Sequence, residues 1–361
     1  MPGLSHLYRF LVRLGALTPD SLILQASKLL VLEIRFIRLT GLIFLIWIAA
    51  ACSHHYKVSG NNEAVSKSLK IAVISDLNGS YGSVGYGAEV TAVMKKMEMI
   101  KPDIILCAGD MVAGQKATLT EQNIKAMWQG FKQTVLTPVQ ELNIPFGFTL
   151  GNHDASPSYL TDRAMAKQFW MENVQATGLQ FIDSTHYPFY FSYILSNIFF
   201  ISWDAAAAKI PAEVYEWMNK QLAGNTAREA KLRILLGHLP LYPIVEHKNK
   251  AGEVNANADS ALSFFKNNGI DLYISGHQHA YYPAKKNGVR LLNAGCIGSG
   301  ERKIMGHTDT AKKAYTIIEV PARSTRQFHY TTYTGGTERL IDPRSLPDSV
   351  IGFNGVLYRE D

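Results

Sequence analysis

Nine side chains able to bind cations stand just past apolar runs of this 361-residue sequence. Asp76 and Asn78 follow Ile71-Ala72-Val73-Ile74-Ser75, and Gly109-Asp110 follows Ile104 to Ala108. Gly151-Asn152-His153-Asp154 follows Phe146 to Leu150. Gly237-His238 follows Leu232 to Leu236, and Gly276-His277-Gln278-His279 follows Leu272 to Ser275. Apart from Asp154 these supply two carboxylates, two carboxamides and four imidazoles. Such oxygen and nitrogen donors suit Mn, Fe, Zn or Mg rather than metals that prefer thiolates. A pair of divalent ions ~3.5–4 Å apart needs an anionic bridge, and a carboxylate can offer one oxygen to each ion. Two such ions with two aspartates and a hydroxide would carry a net positive charge and attract an anion.

The elements that must position these residues can be read from the same runs. Lys70–Ser75, Asp103–Ala108, Phe146–Leu150, Leu232–Leu236 and Leu272–Ser275 read as buried strands. Glu89–Ile100, Glu121–Leu142, Tyr159–Trp170, Ala212–Leu222 and Ala261–Asn267 carry helical periodicity. Phe189–Ile194 with Ile198–Trp203, and Tyr282–Lys285 with Val289–Leu292, read as hairpins, and Ala314–Val320 with Gln327–Tyr333 as a last strand pair. The expected class is α/β: two mixed sheets packed as a sandwich and flanked by helices. In α/β sheets, ligand sites form beyond the carboxyl ends of strands, so the motif-bearing tips can meet in one crevice. Segment 69–334 is expected to be the folded domain, with 335–361 a turn-rich tail that the pattern does not place.

Net charge is +6, but the first 51 residues hold five basic and two acidic side chains, leaving +3 beyond them. That weak bias, without a Lys/Arg run, argues against a nucleic-acid partner. The three cysteines include no CxxC pair, and Cys107 and Cys296 are expected as buried thiols. Leu39 to Ala51 is uncharged and apolar, follows Arg35 and Arg38, and ends on alanines before Cys52. Thirteen apolar residues are too few to cross ~30 Å of hydrocarbon as a helix, and the pattern fits an export signal. Small residues directly before a cysteine resemble a lipoprotein signal, so Cys52 is the expected lipidation site and the bacterial cell envelope the expected location. The membrane would then be a partner through that anchor. The first thirty residues are too long for a signal's basic region, and translation is expected to start near Val31 or Leu32. Segment 52–68 reads as a tether.

Taken in order, D-x-N, G-D, G-N-H-D, a lone His and G-H-x-H resemble the blocks of the calcineurin-like metallophosphoesterase superfamily, over Leu69 to about Val320. The resemblance implies that Asp76 and His279 hold one metal, that Asn152, His238 and His277 hold a second, and that Asp110 bridges them. It further implies hydrolysis of a phosphate ester by a metal-bound hydroxide. His153 would contact the phosphate and protonate the leaving oxygen, with Asp154 holding its ring. Asn78 stands where most of the superfamily has His; its carbonyl oxygen could still be a neutral ligand. Ala113 replaces the Tyr of purple acid phosphatases, and Ala113-Gly114-Gln115 lacks the Asp-Arg-Gly of phosphoprotein phosphatases. The chain is most similar to small bacterial single-domain members. The loop from Gly79 to Gly87 could grip a substrate through its amides and tyrosines, Tyr81 foremost, and Asn152 and His153 would join it. The competing expectation is a non-catalytic binding or scaffold protein that keeps the fold.

Overall fold

A computed structural model describes residues 68–298, 300–322 and 326–360. The expected signal, Cys52 and most of the tether lie outside the described residues. Among the described residues no helix is long and apolar enough to cross a membrane.

The continuous apolar runs become the parallel centres of two sheets. β1 (Leu69–Ile74), β2 (Ile104–Cys107) and β3 (Phe146–Phe148) run parallel, and antiparallel β11 (Ala314–Val320) and β12 (His329–Thr334) complete a five-stranded sheet beside β1. The second sheet has nine strands. At its centre β6 (Ile198–Ser202), β7 (Leu232–Leu236), β8 (Leu272–Ser275) and β10 (Val289–Ala294) are parallel. β5 (Tyr190–Leu195) and β4 (Gln180–His186) extend one side. β9 (Tyr281–Lys286), β14 (Gly355–Arg359) and β13 (Ser349–Gly352) extend the other. Segment 335–361 therefore contributes a hairpin whose β14 pairs with β9.

Both faces of the central strands are buried, and the two-residue period sorts side chains between two cores. Phe200, Ile234, Leu236 and Ile274 join the core shared with the first sheet. Their neighbours Phe199, Ile201, Leu235 and Tyr273 point the other way, into a second core with Trp217, Met218, Leu262 and Phe265. The last four belong to α6 (Ala212–Ala223) and α8 (Ala258–Asn267). The first sheet is covered by α1 (Ala88–Ile100), α2 (Glu121–Phe131) and α5 (Leu160–Glu172), through Val93, Met97, Trp128 and Trp170. The short helices are α3 (Thr137–Glu141), α4 (Asn152–Ala155) and α7 (Asn225–Glu229).

One expectation needs correction, and one strand was not foreseen. The helix expected over Glu121–Leu142 is broken by a π-helical turn, Lys132–Leu136, before α3. Pro138 has no N–H for a helical bond, and the wider turn, in which the Thr137 N–H donates to the Lys132 carbonyl, absorbs the defect. β4 lies in a stretch to which the apolar pattern assigns no element. It is a mostly exposed edge strand, so its sequence lacks an apolar run. Cys107 and Cys296 are buried free thiols.

Candidate metal centre

Asp76, Asp110 and Asn152 lie two to four residues beyond the ends of β1, β2 and β3, while His238 follows β7 and His277 and His279 follow β8. Two sheets thus aim strand ends at one place. The chain turns there so abruptly that Asp76, Asp110, His277 and His279 all take left-handed backbone, with φ between 50° and 67°. Non-glycine residues pay for that conformation, and such strain concentrates where function demands an orientation. Gly151 and Gly276 show how tight the gathering is. A Cβ on Gly151 would lie 2.1 Å from Asp110 Oδ1, and one on Gly276 would lie 2.1 Å from Ser75 Oγ and 2.6 Å from Asp76 Oδ2.

Two sets of ligand atoms form, each with all its atoms within 4.8 Å of one another. They are Asp110 with His238 and His277, and Asp76 and Asp110 with His279. Asp110 belongs to both. Its Oδ1 accepts the His153 backbone N–H at 2.9 Å, while among the described residues buried Oδ2 has no well-aligned hydrogen-bond partner, its nearest ring nitrogens being His238 Nε2 at 3.2 Å and His153 Nε2 at 4.0 Å. Buried carboxylate oxygens are rarely left without a partner, and a shared cation would satisfy this one. The donor set fits divalent metals on this ground and on its chemistry.

The imidazoles are held from behind. His238 Nδ1–H donates to the Ala108 carbonyl at 2.7 Å, leaving Nε2 to face Asp110, Asn152 Oδ1 (3.0 Å) and His277 Nδ1 (3.3 Å). His279 Nδ1–H donates to the Gly300 carbonyl at 2.8 Å, and its Nε2 lies 3.2 Å from Asp76 Oδ1. His277 Nε2–H donates to Glu253 Oε2 at 2.8 Å, which frees Nδ1. Fixing the far nitrogen selects the tautomer and orients the near one as a ligand. Asn152 is aimed in the same way: Nδ2 donates to Gln115 Oε1 at 2.6 Å, turning Oδ1 towards His238. Asn78 is buried, and its backbone N–H donates to the Asp110 carbonyl at 3.3 Å.

Burial opposes charge on Asp76 and Asp110, yet the neighbouring imidazoles outweigh it and hold both carboxyls below the usual range, His279 chiefly for Asp76 and His238 for Asp110. Burial likewise opposes charge on His238, but Asp110 pushes it up to about 9. Burial, then Lys248 and the other imidazoles, keep His277 well below its usual value. His277 is thus a neutral donor with its lone pair available.

One assignment is corrected. Asp154 does not hold the His153 ring. Its Oδ1 accepts the N–H groups of Met111 and Val112 at 2.8 and 2.9 Å, and Oδ2 that of Gly151 at 2.8 Å, so it clamps the two ligand-bearing turns together. Burial and then Asp110 raise its carboxyl to about 7. The His153 ring is held instead by Gly114, whose carbonyl accepts from Nδ1 at 3.1 Å, leaving Nε2 towards the centre. Tyr81 is exposed and its ring lies 5.1 Å from that of His153. Tyr86, by contrast, turns inward and donates to the Met111 carbonyl at 2.7 Å.

Tyr81, Asn152, His153 and His277 line a cavity of about 450 Å³. Gln115, Lys248, Glu253 and Arg302 line it too, and sequence reasoning passed over all four because they lie outside the motif blocks. Exposed His247 stands at its edge. Burial, then Arg302, lowers Lys248 to about 8 despite Glu253. Glu253 is a positioning residue, which yields a first prediction. Glu253→Ala is expected to weaken divalent-metal affinity about 10–100-fold by freeing the His277 ring. Calorimetric Mn titration checks this, with Glu253→Gln, which can still accept from Nε2–H, recovering part of the loss.

These features define a class, the α/β sandwich proteins with a cluster of Asp, Asn and His side chains able to hold metal ions beyond their strand ends. A family model described as calcineurin-like phosphoesterase matches residues 69–281, and the chain belongs to that family. The sequence matches none of the curated proteins. Similar solved structures include GAP50, the anchor in the inner membrane complex of Plasmodium, at 14% identity and TM-score 0.47, covering 76% of this chain and 87% of that one. A dimetal phosphatase from Danio rerio is similar at 11% identity and TM-score 0.46, covering 75% and 100%. Vps29 complexed with Zn²⁺ from Entamoeba histolytica is similar at 10% identity and TM-score 0.38, covering 76% and 96%.

Proposed function

We propose that the protein hydrolyses phosphate esters at a centre of two divalent ions, of the Mn, Fe, Zn or Mg type. The observation that carries this reading is Asp110 Oδ2, a buried carboxylate oxygen with no well-aligned hydrogen-bond partner among the described residues, at the point where two ligand sets intersect. Asp76 and His279 would hold one ion, Asn152, His238 and His277 the other, and Asp110 both, with Asn78 a further oxygen donor beside the first. The ions, when bound, supply Lewis-acid activation of water and neutralise charge on the phosphoryl oxygens. The chain's own groups do the rest. Asn152 Oδ1 and the near nitrogens of the three ligating imidazoles are held in place by carbonyl, carboxylate and carboxamide partners, so little reorganisation accompanies reaction. His153 Nε2–H reaches the phosphate and delivers a proton to the departing oxygen while Gly114 fixes its other nitrogen. Tyr81 limits solvent at the outer face of that ring.

The test is metal analysis of purified protein, followed by hydrolysis of p-nitrophenyl phosphate and its bis ester with added Mn. Turnover that EDTA abolishes and Mn restores is expected. Stoichiometric metal with no turnover of either ester would overturn this reading in favour of a binding or scaffold role.

We also place the protein outside the cytoplasm, tethered to a bacterial membrane through lipidated Cys52. The support is the apolar run Leu39 to Ala51 behind Arg35 and Arg38, with alanines leading to the cysteine. Cys52→Ser is expected to move the protein from the detergent-extracted membrane fraction to the soluble one, as read by immunoblot. An unchanged distribution would remove the lipid anchor.

A further inference from the structure

The cavity beside the centre has a wall that the cleavage of a simple ester does not use. The connection from β7 to α8 supplies Leu239, Lys248 and Glu253 to it, and is fastened by the residue between the two histidines of the last motif. Gln278 Oε1 accepts the N–H groups of Ile244 and Val245 at 3.1 and 3.2 Å. Val245 in turn forms a bridge with Ile304, two residues beyond Arg302. Lys248 and Arg302 are therefore tied to the turn that carries His277 and His279. Lys248 is 7% exposed; its Nζ lies 3.1 Å from both ring nitrogens of His277 and 3.6 Å from Glu253 Oε2. Arg302 also lines the cavity, and its buried Nε–H has no hydrogen-bond partner among the described residues.

Glu253 is the one carboxylate among the described residues of the lining, and its Oε2 is already shared between His277 and Lys248. Among the described residues no carboxylate pairs with Arg302, so its half-buried guanidinium carries an uncompensated charge beside the cavity that an anionic group of a ligand would neutralise. A planar guanidinium fork matches a carboxylate or a phosphate in two hydrogen bonds, which an ammonium cannot do. At about 450 Å³ the cavity exceeds what a phosphoryl group alone would occupy. Its apolar lining is confined to Ala206, Ala207, Ala208 and Leu239, a poor match to a bulky hydrophobic leaving group.

Building on the phosphoesterase reading, we infer that Arg302, with Lys248 beside it, is a second anion subsite, and that preferred substrates are phosphate esters whose leaving group carries its own carboxylate or phosphate. The matched pair 3-phosphoglycerate and glycerol 3-phosphate tests this on the metal-loaded full chain, since the two differ by one carboxylate. The wild type is expected to favour the carboxylate-bearing ester by about tenfold or more in kcat/KM, and Arg302→Gln to reduce that ratio about fivefold or more. Arg302→Lys, which keeps the charge but not the fork, should keep part of the ratio, an outcome that general misfolding would not give. A wild-type ratio near one, or one unchanged in Arg302→Gln, overturns the inference. If neither ester is turned over, p-nitrophenyl phosphate and its bis ester decide the phosphoesterase reading separately. Calorimetry with the same two compounds then decides the subsite: tighter binding of the carboxylate-bearing one that Arg302→Gln removes supports it, and equal affinities overturn it.

Discussion

Asp110→Asn is expected to lower kcat/KM on p-nitrophenyl phosphate by about 10³-fold and to leave the purified protein with fewer than two equivalents of metal. The substitution barely changes shape. A carboxamide oxygen in the place of Oδ1 can still accept the His153 backbone N–H, which Asp110 takes at 2.9 Å. What goes is the negative charge at Oδ2, which faces His238 and His153 and belongs to both ligand sets. A neutral amide cannot bridge two cations as a carboxylate does, and its N–H₂ would turn a donor towards them. His238, pushed up by Asp110, would also lose the main cause of its raised proton affinity. The checks are elemental analysis and initial rates with saturating Mn, beside thermal unfolding with and without metal. Wild-type protein should gain stability from metal because ligands that bind only the folded state stabilise it, and the variant should gain less. A variant with two equivalents of metal and wild-type turnover would remove Asp110 from the centre.

Much of the fold was legible because the motif-bearing strands are buried on both faces. Ile104-Ile105-Leu106-Cys107 is fully buried, and only continuous apolar sequence satisfies such an environment. Edge strands lack that constraint: β4 needed only Phe181 and Asp183 partly covered, so its sequence looks like loop. β13 and β14 hid in a turn-rich tail, where Val350 and Leu357 are the residues that must pack. The ligand cluster was legible for another reason. Each member ends a strand, and parallel strands of packed sheets present their carboxyl ends together. Residues that act through ligands carry no such mark. Gln115, Lys248 and Glu253 lie on connections, and their contacts to Asn152 and His277 join segments that are unrelated in sequence. Asp154 was misread because adjacency suggested contact with His153. Both lie in the single turn of α4, where successive side chains diverge by roughly 100°, so His153 faces the cavity while Asp154 faces the Met111 and Val112 amides.

His153→Ala should separate chemistry from metal binding. The ring is in neither ligand set; its Nε2 lies 4.0 Å from Asp110 Oδ2, and its Nδ1 is tied to Gly114. The backbone N–H that Asp110 uses survives truncation to alanine, so the bridging carboxylate keeps its support. Metal stoichiometry is therefore expected to stay at the wild-type value while kcat falls about 10²–10⁴-fold, the range for losing a positioned acid. The size of the fall should depend on the leaving group. An alkyl ester departs as a strongly basic alkoxide and needs the proton; p-nitrophenolate is stable as an anion and needs it less. Rates of an alkyl phosphate and of p-nitrophenyl phosphate, measured in both proteins at saturating Mn, give that comparison. A larger loss on the alkyl ester marks His153 as a proton donor. An equal loss on both would confine it to holding the phosphate by charge and hydrogen bond, and no loss on either would exclude it from the reaction.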